Sequence, residues 1–379
     1  MYQYQKSSRY FALVAHGVEE VGAAELEELG ASDTKTDYRG VHFNADRESL
    51  YRIVYQTRIC TRILAPLLTF DCHSTRYLYK TARAMEWNEF MSQHQTFAVF
   101  STVSHSIIRH SKYAALVLKD AIVDYFRDDT GTRPSVDTIN PDLWFNLHIQ
   151  HDRAVISLAV SGSSLHRRGY RVEAGEAPMQ ETVAATIIRL SGWSGETPLY
   201  DPMCGSGTLL CEALMHYRQM PAGVLRDHFG FRHLPDFDRT LWRSVRETAR
   251  QQLRPLPADL IRGSDISPTA VKQASRNARQ LEQGERIDFR QSDFRRLPDL
   301  ENCTIVCNPP YGLRLQQGED IAGLYRDLGD FLKQHCLGST ALIYFGKREL
   351  LKSLGLKPSW KRPLVSGSLD GRLAKYELY

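Results

Sequence analysis

The sequence predicts an α/β protein, with a doubly wound parallel sheet in the C-terminal half and smaller α+β modules before it. Three observations predict this. From Thr197 onward, short β-branched runs alternate with helical periodicities, the order that gives a parallel sheet covered on both faces. Before Ser161 the strands are mixed with helices in shorter units. Between the two, residues 161–178 are rich in Gly, Arg and Ser, as a linker is. The 379 residues suit two or three domains. With 42% hydrophobic and 24% charged residues, the composition is that of a soluble globular protein. No apolar run reaches the roughly 18 residues of a membrane span, and Met1 to Lys6 lacks a signal-peptide core. Seven scattered cysteines, an odd number, fit reduced thiols in the cytoplasm better than a disulfide framework.

In chain order, Tyr10 to Ala15 is a predicted strand and Val18 to Leu29 a helix closed by Gly30. Val41 and Phe43 alternate with polar neighbours, and Asp46 is placed to cap a helix carrying Leu50, Ile53 and Val54. Ile63 to Leu68 is a strand broken by Pro66, expected at a sheet edge. This β-α-β-α-β order predicts a small ferredoxin-like unit. In the next unit Phe97 to Val103 is strand-like, and Ala115, Leu118, Ile122 and Phe126 form one helical stripe. Leu143 to Ile149 and Arg153 to Val160 form a hairpin turning at Gln150-His151-Asp152. A helix from about Gln180 to Leu190 ends at Gly192. Strands follow at Leu199 to Asp201, Leu260 to Asp265, Ile287 to Asp293, Cys303 to Cys307, Thr340 to Phe345 and Leu373 to Tyr379.

Two motifs carry chemistry. The first is Asp201-Pro202-Met203-Cys204-Gly205-Ser206-Gly207-Thr208, where a strand ends in an acid and a glycine turn enters a helix. Gly205 and Gly207 let the backbone approach a ligand that a Cβ would block. Asp265 and Asp293 end the next two strands, so they are candidates for a ribose and an adenine amine. Asp265 comes 64 residues after Asp201 because residues 221–257 are inserted between them. That insertion carries Phe229, Phe231, Phe237 and Trp242 among basic residues, and reads equally as a lid, an RNA contact or a helical hairpin covering the sheet.

The second motif is Asn308-Pro309-Pro310-Tyr311, directly after a strand. Two prolines cannot continue a ladder, so they hold a rigid turn at the sheet's carboxyl edge. The Asn308 amide oxygen and the Pro309 carbonyl can each accept an N–H from an exocyclic base amine, and Tyr311 can stack on an extruded base. Positioning and fixed dipoles then suffice, without a metal. A net charge of +4 says nothing about nucleic acid, but His166-Arg167-Arg168-Gly169-Tyr170-Arg171 is a local basic cluster beside an aromatic. It suits phosphate contact by Arg167, Arg168 and Arg171, or is a solvated linker face.

With both motifs in place, the chain resembles the bacterial 23S ribosomal RNA guanine-N2 methyltransferases, long described as adenine-specific DNA methylases because of the Asn-Pro-Pro-Tyr motif. The resemblance includes Ala15-His16-Gly17-Val18-Glu19-Glu20, Ala177-Pro178 with Glu181-Thr182, and Gly367-Ser368-Leu369-Asp370-Gly371-Arg372-Leu373. It implies a ferredoxin-like module at 1–65, a THUMP RNA-binding domain at 66–160, a linker and helix at 161–190, and a Rossmann-like class I methyltransferase domain at 191–379. It implies S-adenosyl-L-methionine as cofactor, held by Asp201, Pro202, Gly205, Ser206, Gly207, Thr208, Asp265, Asp293 and Asn308. Gln180 and Thr182 then flank its methionine end. The partner implied is RNA, 23S rRNA first and tRNA second, with neither membrane nor obligate protein partner. Some relatives are fused to a second methyltransferase, which this chain is expected to lack. The alternatives are a tRNA guanine-N2 enzyme, a DNA adenine-N6 enzyme or a non-catalytic ribosome-assembly factor. A fragment starting near Ser191 is expected to keep cofactor binding and lose RNA.

Overall fold

The structure is a computed structural model describing residues 1–173, 179–312, 320–367 and 369–379. Ala177-Pro178 of the linker and Ser368 of the terminal hairpin lie outside the described residues.

The N-terminal half contains α1 (Gln3–Ser7), β1 (Arg9–Leu13), α2 (Glu19–Glu28), β2 (Ser32–Asp37), β3 (Gly40–Asn44), α3 (Arg47–Gln56) and β4 (Arg62–Asp71). It continues with α4 (Thr75–Arg83), β5 (Phe97–Ser104), α5 (Ser111–Thr130), β6 (Leu143–Gln150) and β7 (Arg153–Ala159). Asp46 caps α3 by accepting from the Ser49 amide at 2.7 Å, and Gly30 follows α2 with φ +100°. β6 and β7 pair antiparallel through His151 and Asp152, at φ 48° and 57°, the left-handed pair a two-residue hairpin demands.

All seven strands form one sheet, ordered β2-β3-β1-β4-β7-β6-β5. β4 joins its two parts: residues 62–64 pair with β1 and residues 64–71 with β7. The edge position expected from Pro66 is therefore wrong. β4 is interior, and the ladder to β7 shifts register between Pro66 and Leu68, an irregularity that accommodates a residue without an N–H. β2 gave no sequence signal because Ser32 to Asp37 is polar throughout and lies at the edge.

The C-terminal half contains α6 (Glu181–Ser191), β8 (Leu199–Asp201), α7 (Thr208–Tyr217), α8 (Arg239–Gln251), β9 (Ile261–Asp265), α9 (Pro268–Ala278) and β10 (Asp288–Gln291). It ends with β11 (Thr304–Cys307), α10 (Ile321–His335), β12 (Thr340–Phe345), β13 (Trp360–Pro363) and β14 (Arg372–Glu377). The sheet order is β10-β9-β8-β11-β12-β14-β13, parallel from β10 to β12, with β14 antiparallel to both of its neighbours. Strand order reverses at β8, so the crevice beyond its carboxyl end is a topological switch point.

The insertion is neither a free lid nor a cover for the sheet. It packs on the N-terminal half: the Tyr51 ring lies 4.6 Å from Phe231 and the Tyr55 ring 5.1 Å from Trp242. The Tyr51 hydroxyl accepts from the Asp238 amide at 2.9 Å. Arg58 crosses the same boundary, donating to the Met215 and Met220 carbonyls at 2.7 Å each, beside the end of α7. Among the described residues no helix is long and apolar enough to cross a membrane.

Candidate active site

At the switch point β8 delivers Asp201 to the glycine turn. The two glycines do different work. Gly205 has φ +53° and an added Cβ would meet nothing within 4 Å, so it borders open space. Gly207 has φ +81° and an added Cβ would come within 3.0 Å of the Ala274 Cβ, so it serves the close approach of α9. Asp265 ties the turn to the next helix: Oδ2 accepts from the Gly205 amide and Oδ1 from the Ser267 amide, each at 2.9 Å. Each oxygen keeps a further lone pair for an incoming hydroxyl.

Asp201 is 1% exposed and accepts from the Met203 amide at 3.0 Å. Burial pushes its carboxyl well above the usual carboxylate range, the Met203 bond opposes this, and the charge of Asp265 adds to the rise. Pro202 is buried, and its carbonyl receives the Ser264 hydroxyl at 3.5 Å. The Ser206 carbonyl accepts from Asn277 at 3.0 Å. Asp293 caps the turn after β10, accepting from the Arg295 amide at 3.0 Å and pairing with its guanidinium at 3.1 Å.

β11 lies beside β8 in register, Ile305 opposite Tyr200, so Asn308 and the glycine turn emerge at the same edge. The Asn308 Oδ1 is buried and has no hydrogen-bond partner among the described residues. A buried acceptor left unpaired costs about 1–3 kcal/mol, which marks a site that a donor fills. The Thr182 Oγ1, at the start of α6, is buried and partnerless among the described residues in the same way, whereas Gln180 caps α6 through its carbonyl and not its side chain. The Pro309 carbonyl faces the Tyr325 hydroxyl at 3.5 Å. Tyr311 is 5% exposed and lies over Gly346, where an added Cβ would meet its ring at 2.5 Å, so it is not an open stacking platform.

The linker cluster is corrected by the structure. Arg168 is 1% exposed and pairs with Glu212 at 3.4 Å while donating to the Leu165 carbonyl at 2.7 Å and to the Arg58 carbonyl. Tyr170 is buried and donates to the same Glu212 at 3.0 Å. Arg171 donates to the Met179 carbonyl at 2.7 Å and to the Thr208 hydroxyl at 3.0 Å, with Glu181 at 3.5 Å. Arg168 and Arg171 thus hold protein, not phosphate, and Tyr170 is unavailable for stacking. His166 is pushed down to about 4 by burial and by Arg167, Arg168, Arg171 and Arg62, so it carries no charge near neutrality. Arg167 alone of the three arginines is exposed.

Comparison with known proteins matches three stretches of the chain. Residues 168–375, more than half of the chain, match the family described as RMKL-like, methyltransferase domain. This chain belongs to that family. Ahead of the RMKL-like domain, residues 9–64 match the RlmL ferredoxin-like domain and residues 72–159 the THUMP domain. A protein of Synechocystis sp. named as a candidate RNA methyltransferase is 40% identical over 371 residues, 98% of this chain and 97% of its own. The ribosomal RNA large subunit methyltransferases K/L of Photobacterium profundum and Syntrophotalea carbinolica are 38% and 36% identical, over 97% and 98% of this chain. The chain spans 53% of the length of each. A methyltransferase candidate crystallised with S-adenosylhomocysteine superposes with a TM-score of 0.86 at 27% identity, covering 98% of both chains.

The motifs did not reveal every contributor to this RMKL-like site. An added Cβ at Gly263 would meet the Leu210 Cδ1 at 2.5 Å and the Asp201 carbonyl at 3.0 Å, so only glycine lets β9 approach the turn. Asn277 is buried and joins three segments: it accepts from the Val172 and Glu173 amides at 3.0 Å each and donates to the Ser206 carbonyl. Its one sequence signal is a polar side chain on the buried stripe formed by Ala274 and Ala278. Glu212 and Tyr325 gave no signal, since each looks like one more residue of its helix.

Proposed function

We propose that this chain transfers a methyl group to the exocyclic N2 amine of a guanine in 23S ribosomal RNA. The methyl donor is S-adenosylmethionine, in keeping with the RMKL-like methyltransferase domain and with the neighbour that binds S-adenosylhomocysteine. The relatives that act on large-subunit ribosomal RNA and the THUMP match support RNA as the substrate. The observation that carries the chemistry is the Asn308 Oδ1, buried and without a partner among the described residues, at the edge where the glycine turn opens.

The residues present fit the cofactor. Gly205 borders open space, Thr182 offers a buried hydroxyl with no partner among the described residues, and Asp265 ends β9. Gln180, Thr182, the turn from Asp201 through Pro202 and Ser206 to Thr208, Asp265 and Asp293 would hold it, and bound there it supplies an electrophilic methyl group. The other task is to present the amine. A guanine N2 lone pair is delocalised into the ring and is a poor nucleophile. Asn308 Oδ1 accepts one N–H and the Pro309 carbonyl the other, which fixes the amine plane and turns the lone pair toward the methyl group. The Tyr325 hydroxyl also approaches the Pro309 carbonyl, at 3.5 Å. Stacking of the base on Tyr311 requires that ring to leave its place against Gly346.

Nucleoside mass spectrometry of ribosomal RNA, tRNA and DNA from a deletion strain tests the reading. Loss of N2-methylguanosine from the large-subunit RNA is expected. A loss confined to tRNA replaces it with the tRNA enzyme, and a loss of N6-methyladenine from DNA replaces it with the DNA enzyme. Unchanged nucleosides, together with purified protein that binds RNA, leave the assembly factor.

A further inference from the structure

In the unit that matches the THUMP domain the acids of α5 are paired, Asp120 with Lys119, Asp124 with Arg127, and Asp128 with Arg83 and Arg127. α5 carries Asp120, Asp124, Asp128 and Asp129 toward its C-terminal end, and α4 lies against them, Tyr79 donating to Asp124 at 2.8 Å and Arg83 pairing with Asp128. At the opposite end three loops meet, and Asp152 organises them. Its Oδ1 accepts from the Ser106 hydroxyl at 2.7 Å and the Ile107 amide at 2.8 Å, and its carbonyl accepts from the Cys72 amide at 2.6 Å. The His105 and His151 rings stack across the same junction, 5.2 Å apart and 13° from parallel.

Around this tip Arg76, Lys80, Arg109 and Lys112 are exposed and have no ion-pair partner among the described residues. Segments 72–80 and 104–113 contain Arg76, Lys80, Arg109 and Lys112 and no acid; the acids at the junction are Asp71, opposite Arg153 on the β4–β7 ladder, and Asp152, whose Oδ1 is taken up by Ser106 and Ile107. Large apolar side chains stand in the open beside them: Ile107 is 68% exposed and Tyr113 55%. Isolated exposed apolar residues are ordinary, but aromatic and aliphatic surface interleaved with uncompensated cations fits a chain of phosphates with unpaired bases. The loops are pinned before any ligand arrives, so little ordering is lost on binding.

We propose that this tip, and not the linker arginines, seats the RNA, with Arg76, Arg109 and Lys112 on phosphates and Ile107 and Tyr113 against unpaired bases. The proposal rests on the RNA reading above.

The test is filter binding of the full chain to protein-free large-subunit ribosomal RNA and to tRNA across a salt series. In Arg76→Ala/Arg109→Ala/Lys112→Ala, the Kd for the preferred RNA should rise on the order of 10–100-fold, and the salt slope should become shallower by about three. Ile107→Ser/Tyr113→Ala should raise Kd with the slope unchanged, separating base contact from charge. All five side chains are surface-exposed, and an unchanged S-adenosylmethionine Kd certifies the fold. Wild-type Kd and slope in both variants, with wild-type protein that does bind RNA, overturn the tip. If wild-type protein binds neither RNA with salt-dependent affinity, the RNA reading itself falls, and the tip with it.

Discussion

Asn308 is where the chemistry was most legible. An amide followed by two prolines after an apolar run implies a rigid acceptor at a strand end, and its Oδ1 is buried and unpaired among the described residues. In Asn308→Ala the single-turnover rate at saturating cofactor and RNA should fall about 10²–10³-fold, the usual cost of one preorganised polar contact. A near wild-type rate would remove Asn308 from the reaction. Asp201 behaves differently, because burial raises its carboxyl above the usual range. The folded protein then holds that proton to higher pH than the unfolded chain does. Stability should therefore fall as pH rises from the ordinary carboxylate range through the raised value. Asp201→Asn keeps an oxygen for the Met203 amide and removes that penalty. Its Tm near neutrality should hold or rise by about 2–4 °C, while cofactor affinity falls about tenfold, roughly 1.4 kcal/mol. A lower Tm in a scanning calorimeter would contradict this reading of the buried acid.

At the scale of elements, the glycine turn and the linker form one assembly. Gly207→Ala places a Cβ against Ala274 in a left-handed conformation and should cost about 2–4 kcal/mol of stability in urea unfolding. Gly205→Ala meets nothing and should cost only the left-handed strain, about 1–2 kcal/mol. Equal losses would mean that the two glycines share one role. Arg171 clamps the Met179 carbonyl, Thr208 and Glu181 around the same turn. In Arg171→Met the cofactor Kd should rise about tenfold while the salt slope of RNA binding stays put; calorimetry and the slope together decide whether it positions the pocket or touches phosphate. Its basic neighbours in sequence gave the opposite impression, since a run of arginines looks the same whether it faces water or a buried Glu212.

At the scale of the molecule, the two halves are knit by buried groups. Arg168 reaches Arg58 and Glu212 at once, and the insertion's aromatic rings close over Tyr51 and Tyr55. Removing residues 1–190 would strip apolar cover from Phe229, Phe231 and Trp242 and strand Glu212 without its cation. The fragment beginning near Ser191 should therefore aggregate or fail to bind cofactor, against the expectation from the linker's composition. The intact chain should unfold with coincident transitions by tryptophan fluorescence and far-ultraviolet circular dichroism. Two separated transitions would show that the halves are independent.

Sequence by itself determined what depends on local order. Strand-then-glycine-then-helix, acids at successive strand ends, and the amide before two prolines each fix a backbone conformation within a few residues, so the doubly wound sheet and its carboxyl edge could be placed from them. Which side chains meet water was settled by packing between distant segments. Arg168 and Arg171 turned inward because Glu212 and Glu181, 44 and 10 positions away in sequence, offered buried carboxylates, and Pro66 sits in an interior strand because β4 carries an extra residue beside it on the ladder to β7. The insertion became the joint between the halves because its rings found α3 rather than the sheet. Most of these outcomes depend on contacts between residues tens of positions apart, and even where both partners are near in sequence, as Arg171 and Glu181 are, the local pattern does not show that the carboxylate is buried.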